Sequence, residues 1–194
     1  MAGNIAGQIY EIGGEVKRLA GPEIYSSVME GSKQMAANSN PEKAALWVKG
    51  AMERLDALAS ESTREEIMLA CGYNCILVNK RPLEAAKSRR RKFPTEEAFL
   101  EAEMQKSPRG FRFEHDGDIL VQFYTPRSFG SGMRCFCSLT KGLPEGLTAS
   151  RTYCQCSRGF VQKYWEGILG RPVMVELKET AISGADECRF LIHL

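Results

Sequence analysis

The sequence contains no apolar run long enough to cross a membrane, since no window reaches the roughly 18 to 20 apolar residues that a spanning helix needs. Its start, Met1-Ala2-Gly3-Asn4, lacks the positive segment and apolar core of a secretory signal. Neither sign of charge prevails, because 26 basic residues are balanced by 24 acidic ones. This balance removes the broad field that non-specific nucleic-acid or membrane-surface binding needs. We therefore expect a cytoplasmic protein with no membrane partner and no nucleic-acid partner.

Histidine is scarce. Only His115 and His193 occur, and neither stands in a recognisable Cys-His signature of the kind that supplies a base to a nucleophilic thiol. We predict that both are ordinary surface or edge residues. The sequence also lacks the glycine loop, lysine and following helix that a nucleotide site requires. The sequence alone therefore identifies no catalytic residue.

Cysteine, by contrast, is abundant, and its seven residues are clustered along the chain. An odd number of cysteines without a secretory signal argues against a disulfide framework. The thiols are then available for a metal or for nucleophilic chemistry. Paired cysteines on a short span supply two ligands from one element, and a tetrahedral site needs about four. The candidate metal ligands are Cys71, Cys75, Cys135, Cys137, Cys154, Cys156 and Cys188.

We predict that these cysteines bind zinc or, as the second choice, an iron-sulfur cluster. A convergent set would combine Cys71 and Cys75 with one thiol from each Cys-x-Cys pair, and Glu179 or Cys188 would stand in reserve. The spacings differ from the Cys-x2-Cys of zinc ribbons. The alternative interpretation is that each cysteine packs in the core as a small apolar residue.

A chain of 194 residues is long enough to bury about 70% of the surface that its unfolded state exposes. We therefore predict a single domain over residues 1–194. Within it, residues 1–106 form a mostly helical region and residues 107–194 an α+β region, because the apolar period changes from 3.6 to 2 between them.

Local signals predict where the helices of the first region begin. Gly21-Pro22 predicts a turn between two helical pieces. Asn40-Pro41 supplies a cap followed by a proline that suits the first helical position. Ser62 followed by Glu65 predicts a capping box that opens the next helix, with two cysteines four residues apart on one side.

Alternation predicts the sheet. A three-residue turn at 116–118 would place Phe113 on the same face as Phe123. Further strands are predicted from Met133 to Leu139, Val173 to Lys178 and Cys188 to Leu194, and a long helix from Ala149 to Leu169. The expected fold class is α+β: an antiparallel sheet of about four to five strands covered by helices, with a helical N-terminal third.

Aromatic residues of the second region form a candidate ligand pocket. Side chains of this kind line apolar cavities that hold small ligands, and they equally fill ordinary cores. The candidate pocket residues are Phe123, Phe136, Phe160, Tyr164 and Trp165.

The C-terminal part resembles the 4-vinyl-reductase-like small-molecule-binding domain family. The resemblance rests on Cys154, Gly159-Phe160, Gly170-Arg171-Pro172-Val173 and the segment 184–190, in that order. It implies a fold shared with subunits of the vesicle-tethering transport particle and with ligand-sensing domains for aromatic compounds. It also implies a homodimer, for which the N-terminal helices could supply the interface.

Members of that family that sense phenolic compounds hold a structural zinc ion with three cysteines and a glutamate. Cys154 and Cys188 stand where the first and last thiols are expected, but residues 176–181 lack the family's Glu-x-x-Cys. The Gly-x-x-x-Cys-x-Phe ending is also similar to the aminothiazoline carboxylate hydrolase family. The predicted function is therefore a protein that binds or senses a small apolar or aromatic ligand and carries a cysteine metal site. The alternative is a thiol-dependent or metal-dependent hydrolase.

Overall fold

Among the described residues, five α-helices precede the first strand, and a sixth lies between the second and third strands in the sequence. The computed structural model describes residues 4–106, 108–130 and 132–194. Its helices are α1 (Ile5–Val28), α2 (Pro41–Leu58), α3 (Glu61–Val78), α4 (Arg81–Arg90), α5 (Glu96–Met104) and α6 (Arg151–Leu169). Its strands are β1 (Phe111–Asp116), β2 (Ile119–Tyr124), β3 (Met174–Glu179) and β4 (Cys188–His193). The predicted regional boundary falls at residue 107, outside the described residues.

The helix α1 consists of two pieces that fold back on each other. Gly21 leaves helical geometry with a φ of 84° and Pro22 follows it, a conformation that glycine adopts without steric cost. Along a straight helix, Gly13 and Met29 would lie about 24 Å apart. In the structure a Cβ added to Gly13 would come within 2.9 Å of the Met29 side chain. The predicted turn at Gly21-Pro22 is confirmed.

Polar caps set the starts of α2 and α3. The Asn40 side chain accepts from the backbone N–H of Glu42, and Pro41 occupies the first turn of α2, as predicted. For α3, the cap is Ser60, whose hydroxyl accepts from the Thr63 N–H at 3.2 Å. The predicted capping box at Ser62 is therefore wrong by two residues.

The hairpin of β1 and β2 has a register different from the predicted one. Phe113 lies opposite Gln122, and Arg112 lies opposite Phe123. The turn contains two residues, Gly117 and Asp118, and Gly117 has a φ of 59°, as type II′ hairpin turns require at their first position. The three-residue turn is wrong, and Phe123 faces away from Phe113 because neighbouring strand residues point to opposite faces.

The sheet has four antiparallel strands in the order β1-β2-β4-β3. The predicted strand from Met133 to Leu139 is wrong, because this segment forms bends and turns. The N–H groups of Thr140 and Lys141 both donate to the Cys137 carbonyl oxygen, which is the pattern of a turn and not of a strand. The remaining edge of β2 is paired with β4.

The helix α6 covers the inner face of the sheet. Trp165 donates from its indole N–H to the Gln122 side-chain oxygen at 3.0 Å, and its ring meets that of Phe113 edge-on at a centroid distance of 6.1 Å. The inner positions of β4, Cys188, Phe190 and Ile192, are buried. The α+β class and the antiparallel sheet covered by helices are confirmed.

The helix α3 packs on α6 through glycines. A Cβ added to Gly72 would fall within 3.0 Å of the Cys156 carbonyl oxygen, and one added to Gly159 would meet the Leu69 carbonyl oxygen at a similar separation. The two helices therefore touch backbone to backbone. No helix among the described residues has the length and apolarity that crossing a bilayer demands.

Candidate functional site

A cavity of about 240 Å³ opens where α1, α3, α6 and the segment 137–139 meet. Four cysteines contribute to its wall: Cys71 and Cys75 from α3, Cys137 from the segment, and Cys156 from α6. Apolar side chains such as Met68 complete much of the lining. We call this space the thiol cavity.

Helical spacing explains the α3 wall. Met68, Cys71, Cys75 and Val78 follow one another at three- or four-residue intervals and line the cavity, because such residues share one helix face. The prediction that Cys71 and Cys75 lie on one side of a helix is confirmed.

A tyrosine deep in the cavity links three of its walls. The Tyr153 hydroxyl lies 3.0 Å from Cys137 Sγ, and Cys137 Sγ lies 3.9 Å from Gln8 Oε1. The Ser138 hydroxyl donates to the same Gln8 oxygen at 2.7 Å. These contacts connect α6, the segment 137–139 and α1.

The thiols of this cavity are held in their neutral form. Burial raises the pKa of Cys71 to about 12, and the carboxylates of Glu15 and Glu11 raise it as well. Burial also raises the pKa of Cys137 to about 12 and that of Cys156 well above its usual value. At neutral pH these cysteines are therefore thiols, and only thiolates act as strong nucleophiles or metal ligands.

The mouth of the cavity is polar. Asn74 Nδ2 lies 3.4 Å from a carboxylate oxygen of Glu11 and 3.4 Å from one of Glu15. Asn79 Nδ2 donates to the Cys75 carbonyl oxygen at 2.9 Å. Sequence reasoning missed these residues, although an asparagine within the otherwise apolar second half of α3 and another directly after its last residue were a usable signal.

The other three cysteines lie near the start of α6 and the start of β4. Cys154 and Cys188 are 6% and 8% exposed, and Cys188 Sγ accepts from the Ala181 N–H at 3.4 Å. Burial raises the pKa of Cys188 to about 11, and it also raises the pKa of Cys154. Cys135 Sγ accepts from the Cys137 N–H at 3.5 Å.

The predicted zinc site is wrong, and so is the alternative of an iron-sulfur cluster. Across residues 4–106, 108–130 and 132–194, no group of three or more His, Cys, Asp or Glu side chains is arranged to hold a metal ion. The reserve ligand Glu179 pairs with Arg189 at 2.8 Å. The buried cysteines instead pack among apolar side chains, as the alternative interpretation held.

The five predicted pocket aromatics are spread over the outer sheet face, the segment before α6 and α6 itself. Phe123 is on the outer sheet face, with the Arg112 guanidinium 3.4 Å from its ring centroid. Phe136 is 40% exposed and half-buried Phe160 lies in α6. Tyr164 and Trp165 are neighbours whose ring centroids are 5.8 Å apart. The described lining of the thiol cavity includes none of the five, and a ligand role for them stays a prediction.

The two histidines lie on the sheet. His115 is exposed on the edge strand β1, and His193 bonds Glu176 at 2.7 Å on the outer face. Their predicted surface and edge positions are confirmed. Neither is among the described residues that line the thiol cavity.

A second cavity, of about 360 Å³, lies beside the first turns of α3 and α6. Asp56 accepts from the Thr152 hydroxyl at 2.5 Å and pairs with Arg64 at 3.3 Å. Glu65 accepts from the Gln155 amide at 2.8 Å. We call this space the polar cavity.

The chain matches the model of one protein family. The model of a family of unknown function (DUF6144) matches residues 6–194. No curated protein matches the chain.

Among solved structures, an Fe(II) unliganded H-NOX protein mutant from K. algicida is 15% identical, with 100% of this chain and 96% of that chain covered and a TM-score of 0.52. Two H-NOX structures from S. oneidensis are each 11% identical. The Fe(II) form of a mutant covers 97% of this chain and 95% of that chain at a TM-score of 0.46. The match to the Fe(II)NO form covers 96% of this chain and 97% of that chain, at a TM-score of 0.43. The likeness to the K. algicida protein shows an H-NOX-like fold.

The resemblance to the 4-vinyl-reductase-like and aminothiazoline carboxylate hydrolase families is therefore wrong. The glycines that carried it have local roles. Gly159 permits the close approach of α3, and Gly170 ends α6 with a φ of 72°. Helix packing and helix termination impose such glycines in many folds, so their order does not identify a family.

Proposed function

We propose that this chain, which belongs to the DUF6144 family, is a small-ligand-binding domain whose ligand occupies the thiol cavity. The observation that carries the proposal is the cavity itself, with its apolar and thiol wall and its polar mouth. Ligand sites in proteins commonly have this composition, in which a few polar groups orient a ligand among apolar ones.

The volume limits the size of the ligand. A dry apolar cavity of about 150 Å³ holds benzene, whereas pockets for drug-sized ligands measure about 300 to 1,000 Å³. At about 240 Å³, the thiol cavity suits a molecule with one ring or two fused rings, or a short aliphatic chain. This size agrees with the small apolar or aromatic ligand expected from the sequence.

A haem is the cofactor that an H-NOX-like fold implies, but the residues here do not fit one. A haem needs more space than the thiol cavity offers, and no histidine occurs among the described lining residues. Both histidines lie on the sheet, outside the described lining of this cavity, so the cavity offers a haem no axial histidine. The proposal therefore contains no step that depends on a haem.

The thiol-dependent hydrolase is not favoured. A catalytic cysteine needs a lowered pKa and a neighbouring base, and the pKa values of Cys71, Cys137 and Cys156 are all raised.

A sensing role follows from how the cavity is built. Its wall joins α1, α3, α6 and the segment 137–139. The side-chain contact of Tyr153 with Cys137 links α6 to that segment. A ligand that touches all four would favour the arrangement in which they are packed together. We propose that this change in packing is what a partner would detect.

The experiment is a titration with indole, a probe of suitable size, followed by amide chemical shifts in NMR spectra. We expect saturable shifts in residues of α1, α3 and the segment 137–139. The variant Cys75→Phe, which fills the cavity, should lose them. The matched control is Leu77→Phe, which adds a ring to the same helix at a side chain that is 61% exposed. The proposal fails if neither indole nor one-ring probes such as toluene bind saturably, or if Cys75→Phe binds as the native protein does.

A further inference from the structure

We infer that the ligand of the thiol cavity is a small amine, bound as a cation with its apolar body inside and its ammonium group at the mouth. This inference rests on the proposed function and assigns the chemical class of the ligand. Three features carry it: the charge of the lining, the pairing of the mouth carboxylates, and the neutral interior.

The lining carries one sign of charge. Among the described residues that line the thiol cavity, Glu11 is the only charged one. Lysine, arginine and histidine do not occur in that lining. An anionic ligand would therefore meet a like charge with no compensating cation, and like charges in proximity repel.

Among the described residues, the Glu11 carboxylate has no cationic partner, unlike that of its neighbour Glu15. Glu15, one turn further along α1, forms an ion pair with Arg18 at 2.6 Å. Glu11 makes no ion pair with any residue that the structure describes, and its one polar contact is with Asn74 Nδ2 at 3.4 Å. A carboxylate in this state keeps most of its capacity to accept hydrogen bonds, and an ammonium group supplies three donors.

The asparagines at the mouth offer further acceptors. Asn74 and Asn79 each use the amide nitrogen, toward the Glu11 carboxylate and the Cys75 carbonyl respectively. Their side-chain oxygens have no hydrogen bond to the described residues and stay open to a donor. Asn4 and Gln8 also line the cavity and carry amide hydrogens, so hydrogen bonding alone does not select the ligand. The negative charge of Glu11 is what favours a cationic ligand.

The interior explains why the charge must stay at the mouth. Cys71, Cys137 and Cys156 are buried enough that their own ionisation is suppressed. A charged group placed beside them would suffer the same desolvation. The ligand therefore places its apolar part against these thiols and its ammonium group beside Glu11, which is exposed to solvent.

Three probes with the same ring separate the alternatives: benzylamine, benzyl alcohol and benzoate. We expect benzylamine to bind up to about fivefold more tightly than benzyl alcohol, as an exposed ion pair allows, and benzoate to bind most weakly. Higher salt should narrow the difference because it screens the pair. The measurement is the dissociation constant of each probe from NMR titration.

The variant Glu11→Gln tests the residue, with Glu23→Gln as the matched control. Both remove one carboxylate from α1, but Glu23 is exposed and does not line the cavity. We expect Glu11→Gln to abolish the preference for benzylamine and Glu23→Gln to leave it unchanged. Equal binding of benzylamine and benzyl alcohol in the native protein would overturn the amine inference while the cavity remained a ligand site. If none of the three probes binds but indole does, the amine inference is wrong; if indole does not bind either, the proposed function itself is wrong.

Discussion

The thiol cavity and the polar cavity differ in what their polar groups are doing. The polar cavity is the larger, at about 360 Å³ against about 240 Å³, but two of its three carboxylates are already bonded to neighbouring side chains. Asp56 holds Thr152 and Arg64, and Glu65 holds Gln155. In the thiol cavity, Glu11 is without a cation among the described residues. The polar cavity also has Arg64 and Arg151 in its lining, whereas Glu11 is the only charged residue in the described lining of the thiol cavity, so the two cavities differ in charge balance as well as in volume.

The bonds of the polar cavity have a structural purpose. Asp56 belongs to α2, Arg64 and Glu65 to α3, and Thr152 and Gln155 to α6. The network therefore ties three helices together at one end of the α3–α6 contact. Partners fixed to each other in this way have little capacity left for a ligand, since each bond would have to be exchanged for a new one.

The largest loss of stability is expected at Gly72, where α3 packs closely on α6. Both cavities are lined by residues of these two helices. The variant Gly72→Ala would place a methyl group within 3.0 Å of the Cys156 carbonyl oxygen, and backbone cannot move aside as a flexible side chain can. Overpacking of this kind costs about 3 kcal/mol, or roughly 6 to 12 °C in Tm. Urea and thermal unfolding measure it, and indole binding should weaken because the α3 and α6 walls separate.

The control for this variant is Gly14→Ala in α1. Nothing lies within 4 Å of a Cβ added there, and alanine is favoured over glycine inside a helix by about 1 kcal/mol. Gly14→Ala should therefore leave stability unchanged or raise it. If Gly72→Ala is as stable as Gly14→Ala, the close contact of α3 with α6 is not as described.

Alkaline pH should act on the thiol cavity through its buried cysteines. Burial raises the pKa of Cys71 and Cys137 to about 12 in the folded protein, whereas an unfolded thiol has a pKa of about 8.5. The folded state therefore holds these protons more tightly, and the stability that they contribute is complete below pH 8.5 and decreases between the two pKa values. The loss is about 1.4 kcal/mol per pH unit for each thiol.

The measurement is the free energy of unfolding in urea at neutral pH and at pH values between about 9 and 10. Cys71→Ala should reduce the pH dependence of the free energy of unfolding in this range by the contribution of about one proton, because it removes one of the thiols with a raised pKa. A variant of the polar cavity, such as Asp56→Ala, should keep the native slope. An unchanged slope in Cys71→Ala would show that this thiol is not buried as the structure has it.

The helical half was largely predictable because its signals are local. Asn40 and Pro41 act within one turn of α2, and Gly21 with Pro22 breaks α1 where predicted. The sheet was harder, because pairing joins distant residues. Alternation from Met133 to Leu139 resembled a strand, but β4 already pairs with β2.

The hairpin register and the site failed for related reasons. The strand β2 carries apolar residues on both faces, Leu120 on one and Val121 on the other, so its pattern could not select a register. Clustered cysteines suggested convergence on a metal, but spacing along the chain does not determine where different elements meet. Glu11 looked like any solvated helix residue until the fold placed it at a cavity mouth.

The smallest expected effect belongs to the polar cavity, at Asp56. Asp56→Ala removes the 2.5 Å hydrogen bond from Thr152 and the 3.3 Å pair with Arg64. We expect a loss of about 1.5 kcal/mol in the free energy of unfolding, the scale of a hydrogen bond to a charged group.

The matched control is Glu53→Ala on the same helix. Glu53 is 57% exposed and pairs only with Lys49 among the described residues, so its removal should cost less than about 0.5 kcal/mol. Binding of indole and benzylamine should be unchanged in both variants, because neither residue lines the thiol cavity. If Asp56→Ala abolished probe binding while the protein stayed folded, the polar cavity would be the ligand site and the contrast between the two cavities would be reversed.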